Sequence, residues 1–383
     1  MADRFYGPLS VVTSTLISLL FVFSTAQGSS RDQAYRMHNR IAGVPPSSQV
    51  LDQMTNLIDQ GRAEEAAKIA LENPYFYNLS LKKWVNSWTN ADENDDVALN
   101  DFTATILGII RDDIPFDRAL YDDILYIGPT GNGVPAYSPE NNAHYIALED
   151  QRIDLKANLQ KRTLSGVTGI QETAGVMGTR AFGEAFYTDG TNRRALRFTF
   201  MNFLCKDFEE LSDTTRADYR VRQDVDRSPG GDSNVYRNKC AGCHAGMDGL
   251  AGAYAYYNFE DGRTVYTPGE VQSKYFNNKD TFPDGYQTQG DDWINLWVAG
   301  QNKSLGWNGE GSGNGAKSLG KMLTSTEAFP TCMAKKVFTK VCLHEPKSDE
   351  EKDHIKVLST QFKNSSYNMK DLFTKTAVTC MGE

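Results

Sequence analysis

The sequence predicts a mainly α fold, with an N-terminal helical domain, a central region organised by Cys240-Ala241-Gly242-Cys243-His244, and a helical C-terminal extension. Three observations predict it. Apolar residues recur at spacings of three and four in two blocks, one before residue 127 and one after residue 318. Helix-starting residues precede these stripes: Ser47 or Ser48 in the first block, and Ser348 with Glu351 as a capping box in the second. Between the blocks, the Cys-x-x-Cys-His motif spans one helical turn. A length of 383 residues allows two or three compact domains.

Taken in order, residues 1–26 read as a signal peptide. Arg4 and the amino terminus give a positive start, Leu9 to Phe23 is mostly apolar, and Ser24-Thr25-Ala26 offers small residues for cleavage after Ala26. The same stretch also admits an uncleaved anchor. No Cys follows it for lipid attachment, and no transmembrane span is expected after cleavage. The expected location is periplasmic or otherwise exported.

Residues 27–127 are expected to form the helical domain. Arg40-Ile41-Ala42-Gly43-Val44-Pro45-Pro46 reads as an extended entry. A first helix carries Val50, Leu51, Met54, Leu57 and Ile58, and Gly61 ends it. A second runs through Ala66, Ala67, Ile69, Ala70 and Leu71 to Asn73-Pro74; a third holds Leu79, Leu81, Trp84, Val85 and Trp88. A fourth aligns Leu99, Phe102, Ile106 and Ile109. His38 and the acidic run Asp92 to Asp96 are expected in solvent.

Residues 128–230 read as a linker and mixed helical region. The stretch 128–145 is rich in Gly, Pro, Asn and Ser and reads as an exposed loop, with a solvated His144 in it. Phe198, Phe200, Met201, Phe203 and Leu204 pack a helix. Arg193, Arg194, Arg197, Arg216, Arg220, Arg222 and Arg227 surround it, and forked guanidinium groups suit paired carboxylates.

Residues 231–330 carry the chemistry. Cys-x-x-Cys-His is the attachment signature of c-type haem: two thiols add across the vinyl groups, and the next residue, His244, supplies an axial nitrogen to the iron. This makes the region cytochrome c-like, with one covalent haem c, and gives its arginines a candidate role on the haem propionates. A thioredoxin-like dithiol, half a zinc site and a plain disulfide also use Cys-x-x-Cys. Neither a second zinc half-site nor a βαβ pattern accompanies it. Val235 and Tyr236 stand one turn ahead of Cys240, as the N-terminal helix of a cytochrome would place them. Tyr254, Tyr256, Tyr257, Phe259, Tyr266 and Tyr275 are candidates to wall a haem pocket, an ordinary mixed loop being the other reading. Trp293, Leu296 and Trp297 form a short helix face, and a glycine-punctuated loop follows from Gly300 to Gly315.

The sixth iron position decides what such a haem does. Met322, beyond the glycine loop, is the leading distal candidate, with Met333 in reserve; Met247 is read as pocket wall. Residues 331–383 return to helix through Met333, Val337 and Val341, then Ile355, Leu358 and Phe362, and Asn368 caps a last helix with Met369, Leu372 and Phe373. Cys205, Cys332, Cys342 and Cys380 suggest two disulfides in an oxidising compartment, with Cys342–Cys380 preferred; four buried thiols are the alternative. The net charge of −9 argues against nucleic acid as a partner. It suits a basic redox partner protein, although solubility explains it equally well.

Larger stretches carry a likeness too. Gly175-Val176-Met177 leads to Asn192-Arg193-Arg194, the motif continues as Ala245-Gly246-Met247-Asp248, and Phe329 and Cys332 precede a helix before Ser366-Tyr367-Asn368-Met369-Lys370-Asp371-Leu372. On these residues the chain resembles the planctomycete-type cytochrome c proteins. Residues 40–46 and Ile114-Pro115-Phe116-Asp117 are similar to that family's N-terminal helical region, so the likeness covers most of the chain past the leader. Gly249 stands where the family often has Pro, and Cys342-Leu343-His344 replaces a Leu-Gly-Arg-like turn. The resemblance implies a haem protein handling electrons outside the cytoplasm, with no particular substrate.

The expected function is therefore an exported monohaem cytochrome carrying single electrons. Cys240, Cys243, His244 and Met322 bind the haem, the last two through the iron. No Ser/His/Asp or paired-carboxylate constellation suggests hydrolysis. A peroxidase-like enzyme with an open sixth position, and a scaffold with a structural haem, are the rival readings.

Overall fold

The computed structural model describes residue 1 and residues 28–188 and 190–382, so the signal-peptide expectation lies outside the described residues. The chain is mainly α, with 55% helix and 7% strand, where a typical domain is about a third helix.

The N-terminal helices are Ser30–Ala42, Ser48–Asp59, Ala63–Leu71, a π-helical turn Phe76–Leu81 running into Lys82–Asn86, and Asp101–Arg111. Ser47 caps the second through Val50 N–H, and Asn100 caps the last through Thr103 N–H. The first helix corrects the expected extended entry. It runs to Ala42 and stops at Gly43, whose φ of 77° is the left-handed conformation that glycine adopts without steric cost. Its buried stripe includes Gln33 and His38 beside Ala34, Met37 and Ile41. Two polar residues on the inner face hide the helical period from an apolar count.

His38 is accordingly not in solvent. It is 1% exposed, with Nδ1 2.9 Å from the Val44 carbonyl and Nε2 3.2 Å from Asn73 Nδ2. His144 is likewise corrected from a solvated loop residue: it lies on the helix Ala143–Asp150 and is 1% exposed. Its Nδ1 stands 2.7 Å from the Pro135 carbonyl, and its Nε2 accepts from Gly128 N–H at 3.0 Å. In each ring one nitrogen donates and the other accepts, which is the neutral form.

The C-terminal helices Ala328–Cys342, Asp349–Asn364 and Met369–Cys380 pack on one another. The first and last also pack on the Ser30–Ala42 helix, and the last on Ala63–Leu71. Arg36 and Arg40 donate to the carbonyls of Met381 and Cys380 at 2.9 and 2.7 Å. Ser348 and Glu351 make the expected reciprocal capping box. Leu343 closes the Ala328–Cys342 helix at φ 66°, where glycine is usual. One continuous hydrophobic core runs from Ala34 to Cys380, so helices from both ends of the chain share an interior with the centre.

Cys205 pairs with Cys332 and Cys342 with Cys380, at Cα separations of 5.2 and 5.4 Å. The second is the preferred pairing, and it ties the last helix to the Ala328–Cys342 helix.

The strands are short antiparallel pairs: Leu125–Ile127 with Gln160–Arg162, Tyr257–Glu260 with Arg263–Tyr266, and Asp292–Ile294 with Ser312–Asn314. Asp261 and Gly262, at φ 48° and 80°, make the tight turn of the second pair. Tyr254, Tyr257 and Tyr275 are buried in the protein's own interior beside Tyr187, Met177 and the Arg222 side chain, rather than lining an open pocket. Trp293 belongs to a strand, and only Leu296–Val298 forms a helical turn. Among the described residues no helix is long and apolar enough to cross a membrane.

Candidate functional site

The motif sits where a π-helical turn, Tyr236–Cys240, becomes the α-helix Ala241–Ala251. Asp232 starts this run by accepting from Asn234 N–H at 2.8 Å. Tyr236 is pinned by its hydroxyl to Asp218 at 2.9 Å and by the Arg227 guanidinium 4.7 Å above its ring. Tyr236, Val221, Val225 and Ala245 form a small apolar cluster apart from the main core, and Cys240 and Ala241 pack against it.

Three glycines set the pose of this helix. At about 3.6 residues per turn, Gly242, Gly246 and Gly249 share one side, His244 stands on the other, and Cys243 lies between them at the edge of the glycine side. The glycine side is pressed into the protein: a Cβ at Gly242 would run into the Ser212 hydroxyl, one at Gly246 into the Trp297 indole, and one at Gly249 into the Ile294 carbonyl oxygen. From Ala245 to Ala251 the helix is buried all round, so only its first turn reaches the surface. Cys240, Cys243 and His244 are all half-buried, and 23% of the His244 side chain is exposed.

Both motif thiols are free, whereas the other four cysteines are bonded. Burial pushes the Cys243 thiol up, and a hydrogen bond with Ser212 only partly offsets this. A raised thiol is a poor nucleophile, the opposite of what a dithiol redox pair needs. Among the described residues no group of three or more His, Cys, Asp or Glu side chains converges on one point. A structural zinc site takes four such ligands.

One turn after His244 lies Asp248, whose side chain is fully buried. His244 Nδ1 is 3.3 Å from each carboxylate oxygen. Arg193 donates to the same carboxylate through Nε at 2.6 Å and Nη2 at 2.9 Å, and grips Asp224 through Nη1 and Nη2 at 2.6 and 2.8 Å. The Arg222 backbone N–H adds a bond to Asp248 at 3.1 Å, and the Arg222 guanidinium lies 3.8 Å away. Burial alone would raise the Asp248 carboxyl, but Arg193 and then Arg222 hold it well below the usual carboxylate range. Burial, together with the neighbouring Arg193 charge, lowers Arg222.

The protein's own groups take up most of the arginines that are candidates for propionates, whose other reading is a solvated basic face. Arg193 holds Asp224 and Asp248, Arg197 holds Asp207, Arg216 holds Asp213 and Arg220 holds Asp292. Arg222 donates to Thr191, and Arg227 to the carbonyls of Val221 and Val225. Arg194 is exposed.

Cys240, Cys243 and His244 are brought together as the motif implies. Met322 is not brought to them. It is buried on the helix Gly315–Thr324, with its Sδ 3.8 Å from Asn295 Nδ2. Asn295 follows Ile294, the residue that contacts Gly249. Met333 is fully buried on the Ala328–Cys342 helix, and Met247 is buried in the main core.

The carboxylate behind His244 is the feature that the sequence reading passed over. An acidic residue four positions after the histidine on one helix was its available signal. Comparison with protein-family models, with curated proteins and with solved structures finds no match to this chain.

Proposed function

We propose that this chain is an exported monohaem c-type cytochrome that passes single electrons through one covalently attached haem c. The observation that carries the reading is the grouping of two free, partly exposed thiols and an imidazole where one helix begins, in a chain whose other cysteines are paired. Cys240 and Cys243 would hold the porphyrin through thioether bonds, with His244 as proximal ligand through Nε2. The haem supplies the one-electron couple; the chain supplies attachment, orientation and burial. The cluster of Val221, Val225, Tyr236 and Ala245 offers apolar surface beside Cys240. Two disulfides suit an oxidising compartment, where this chemistry of attachment belongs. The likeness to planctomycete-type cytochrome c proteins points the same way.

A second reading, a haem enzyme with an open sixth position, is favoured by the burial of the Met322 thioether beside Asn295. Protein produced in a host that matures c-type cytochromes tests both. A reduced spectrum with thioether-type haem bands, and haem that stays with the polypeptide on a denaturing gel, is the expected result. Colourless protein overturns the proposal. Rapid binding of carbon monoxide or cyanide selects the open-site reading, and refusal of both selects the closed electron carrier.

A further inference from the structure

Asp248 is buried where a charge is costly, and the surroundings are built to keep it charged. Two donors from Arg193 and one backbone N–H from Arg222 reach its oxygens at 2.6–3.1 Å, His244 Nδ1 stands at 3.3 Å, and the Arg222 guanidinium lies beyond at 3.8 Å. An ionised carboxylate only accepts, so Nδ1 carries the proton and Nε2 keeps its lone pair. A histidine that ligates a metal commonly donates its second ring N–H to such a partner, which fixes the ring and strengthens it as a donor. Here that carboxylate is itself shared. Arg193 divides its fork between Asp248 and Asp224, so the charge left for the imidazole depends on the arginine.

We propose that Asp248 is a positioning residue for the iron ligand: it fixes His244 as the Nδ1–H tautomer, and Arg193 meters how much negative charge the imidazole feels. The inference rests on the haem reading above. A strong carboxylate partner enriches the imidazole and favours ferric iron, and Arg193 holds that effect in check.

The test uses the matured holoprotein, as wild type, Asp248→Asn and Arg193→Gln. Three quantities are read: haem retained on a denaturing gel, the ferric-to-ferrous ratio against a reference dye, and the hyperfine-shifted proton resonances of the His244 ring. Asp248→Asn is expected to move the ratio about tenfold toward ferrous, which is about 59 mV for one electron. Arg193→Gln is expected to move it toward ferric, with the ring resonances displaced in the opposite sense from Asp248→Asn. The ring resonances separate a change in the imidazole from a mere change in nearby charge. If Asp248→Asn fails to mature because Arg193 and Arg222 are left unpaired, Arg193→Gln decides alone. Ring resonances unchanged in every variant that matures, with the ratio within twofold of wild type, overturn this proposal and leave the haem reading standing. A wild type without haem overturns both.

Discussion

The indole of Trp297 occupies the space that a side chain at Gly246 would need. Trp297 is fully buried, so it has no free direction in which to yield. Propensity and packing then make opposite predictions for Gly246→Ala. An alanine in a helix interior is favoured over glycine by about 1 kcal/mol, whereas overpacking a tight contact costs about 1–3 kcal/mol. Packing should win. The urea midpoint of Gly246→Ala is expected to fall, and a rise would show that the helix is free to move off Trp297.

Met322→Leu separates two roles for the same residue. Buried beside Asn295, the thioether is a core side chain, and a volume-conserving change there costs less than about 1.5 kcal/mol. The visible spectrum of the matured variant should match wild type, including any sulfur–iron band in the oxidised protein. Loss of such a band would place Met322 on the iron and refute its reading as a core side chain.

Acid should weaken the fold earlier than carboxylate protonation would explain. Burial holds the folded pKa of both His38 and His144 below the ordinary 6.5, the carbonyls of Val44 and Pro135 only partly opposing it. With the folded value below the unfolded one, their contribution is complete above about pH 6.5 and declines as pH falls, since the unfolded chain then binds the extra proton. The slope approaches at most about 1.4 kcal/mol per pH unit for each ring, until its folded pKa is reached. The denaturant midpoint should drop between about pH 7 and pH 5.5, and His144→Gln should flatten that drop. An unchanged slope in the variant would remove His144 from the account.

The two disulfides should not contribute equally. They close stretches of 127 and 38 residues, for which the chain-entropy argument gives about 5 and about 4 kcal/mol. Replacing Cys205 and Cys332 together by alanine is therefore expected to lower the thermal midpoint more than replacing Cys342 and Cys380 together. Calorimetry in the absence of reductant makes the comparison. The reverse order would show that native packing around the tail outweighs unfolded-chain entropy.

Much of the helical framework was legible because its signals are local. Val50, Met54 and Leu57 repeat at helical spacing behind a serine cap, and Ser348 with Glu351 announces a helix within four residues. The Ser30–Ala42 helix is not legible, because Gln33 and His38 sit on its inner face, and His38 finds a partner, Asn73, 35 residues away. His144 was misread for the same reason: polar surroundings in sequence did not reveal a carbonyl and an amide waiting in space. Of the site, the five-residue motif was plain. The charges behind it were not, since Arg193 and Asp248 stand 55 residues apart and no periodicity links them. Loop length, the ground for choosing Met322, carries no information about what its sulfur packs against, and the thioether lies buried beside Asn295.

The Ser30–Ala42 helix and the Met369–Cys380 helix are neighbours in space, and Arg36 grips a carbonyl 345 positions away. During synthesis at about 5–20 residues per second, the earlier helix therefore waits roughly 20 to 70 seconds for its cover. Until then it packs only on its early neighbours, Ser48–Asp59, Ala63–Leu71 and Phe76–Leu81, and the part that faces the C-terminal helices stays open. Closure of this interior is a late event, and a ribosome stalled anywhere before Met369 yields a product with an uncovered seam rather than a smaller finished protein.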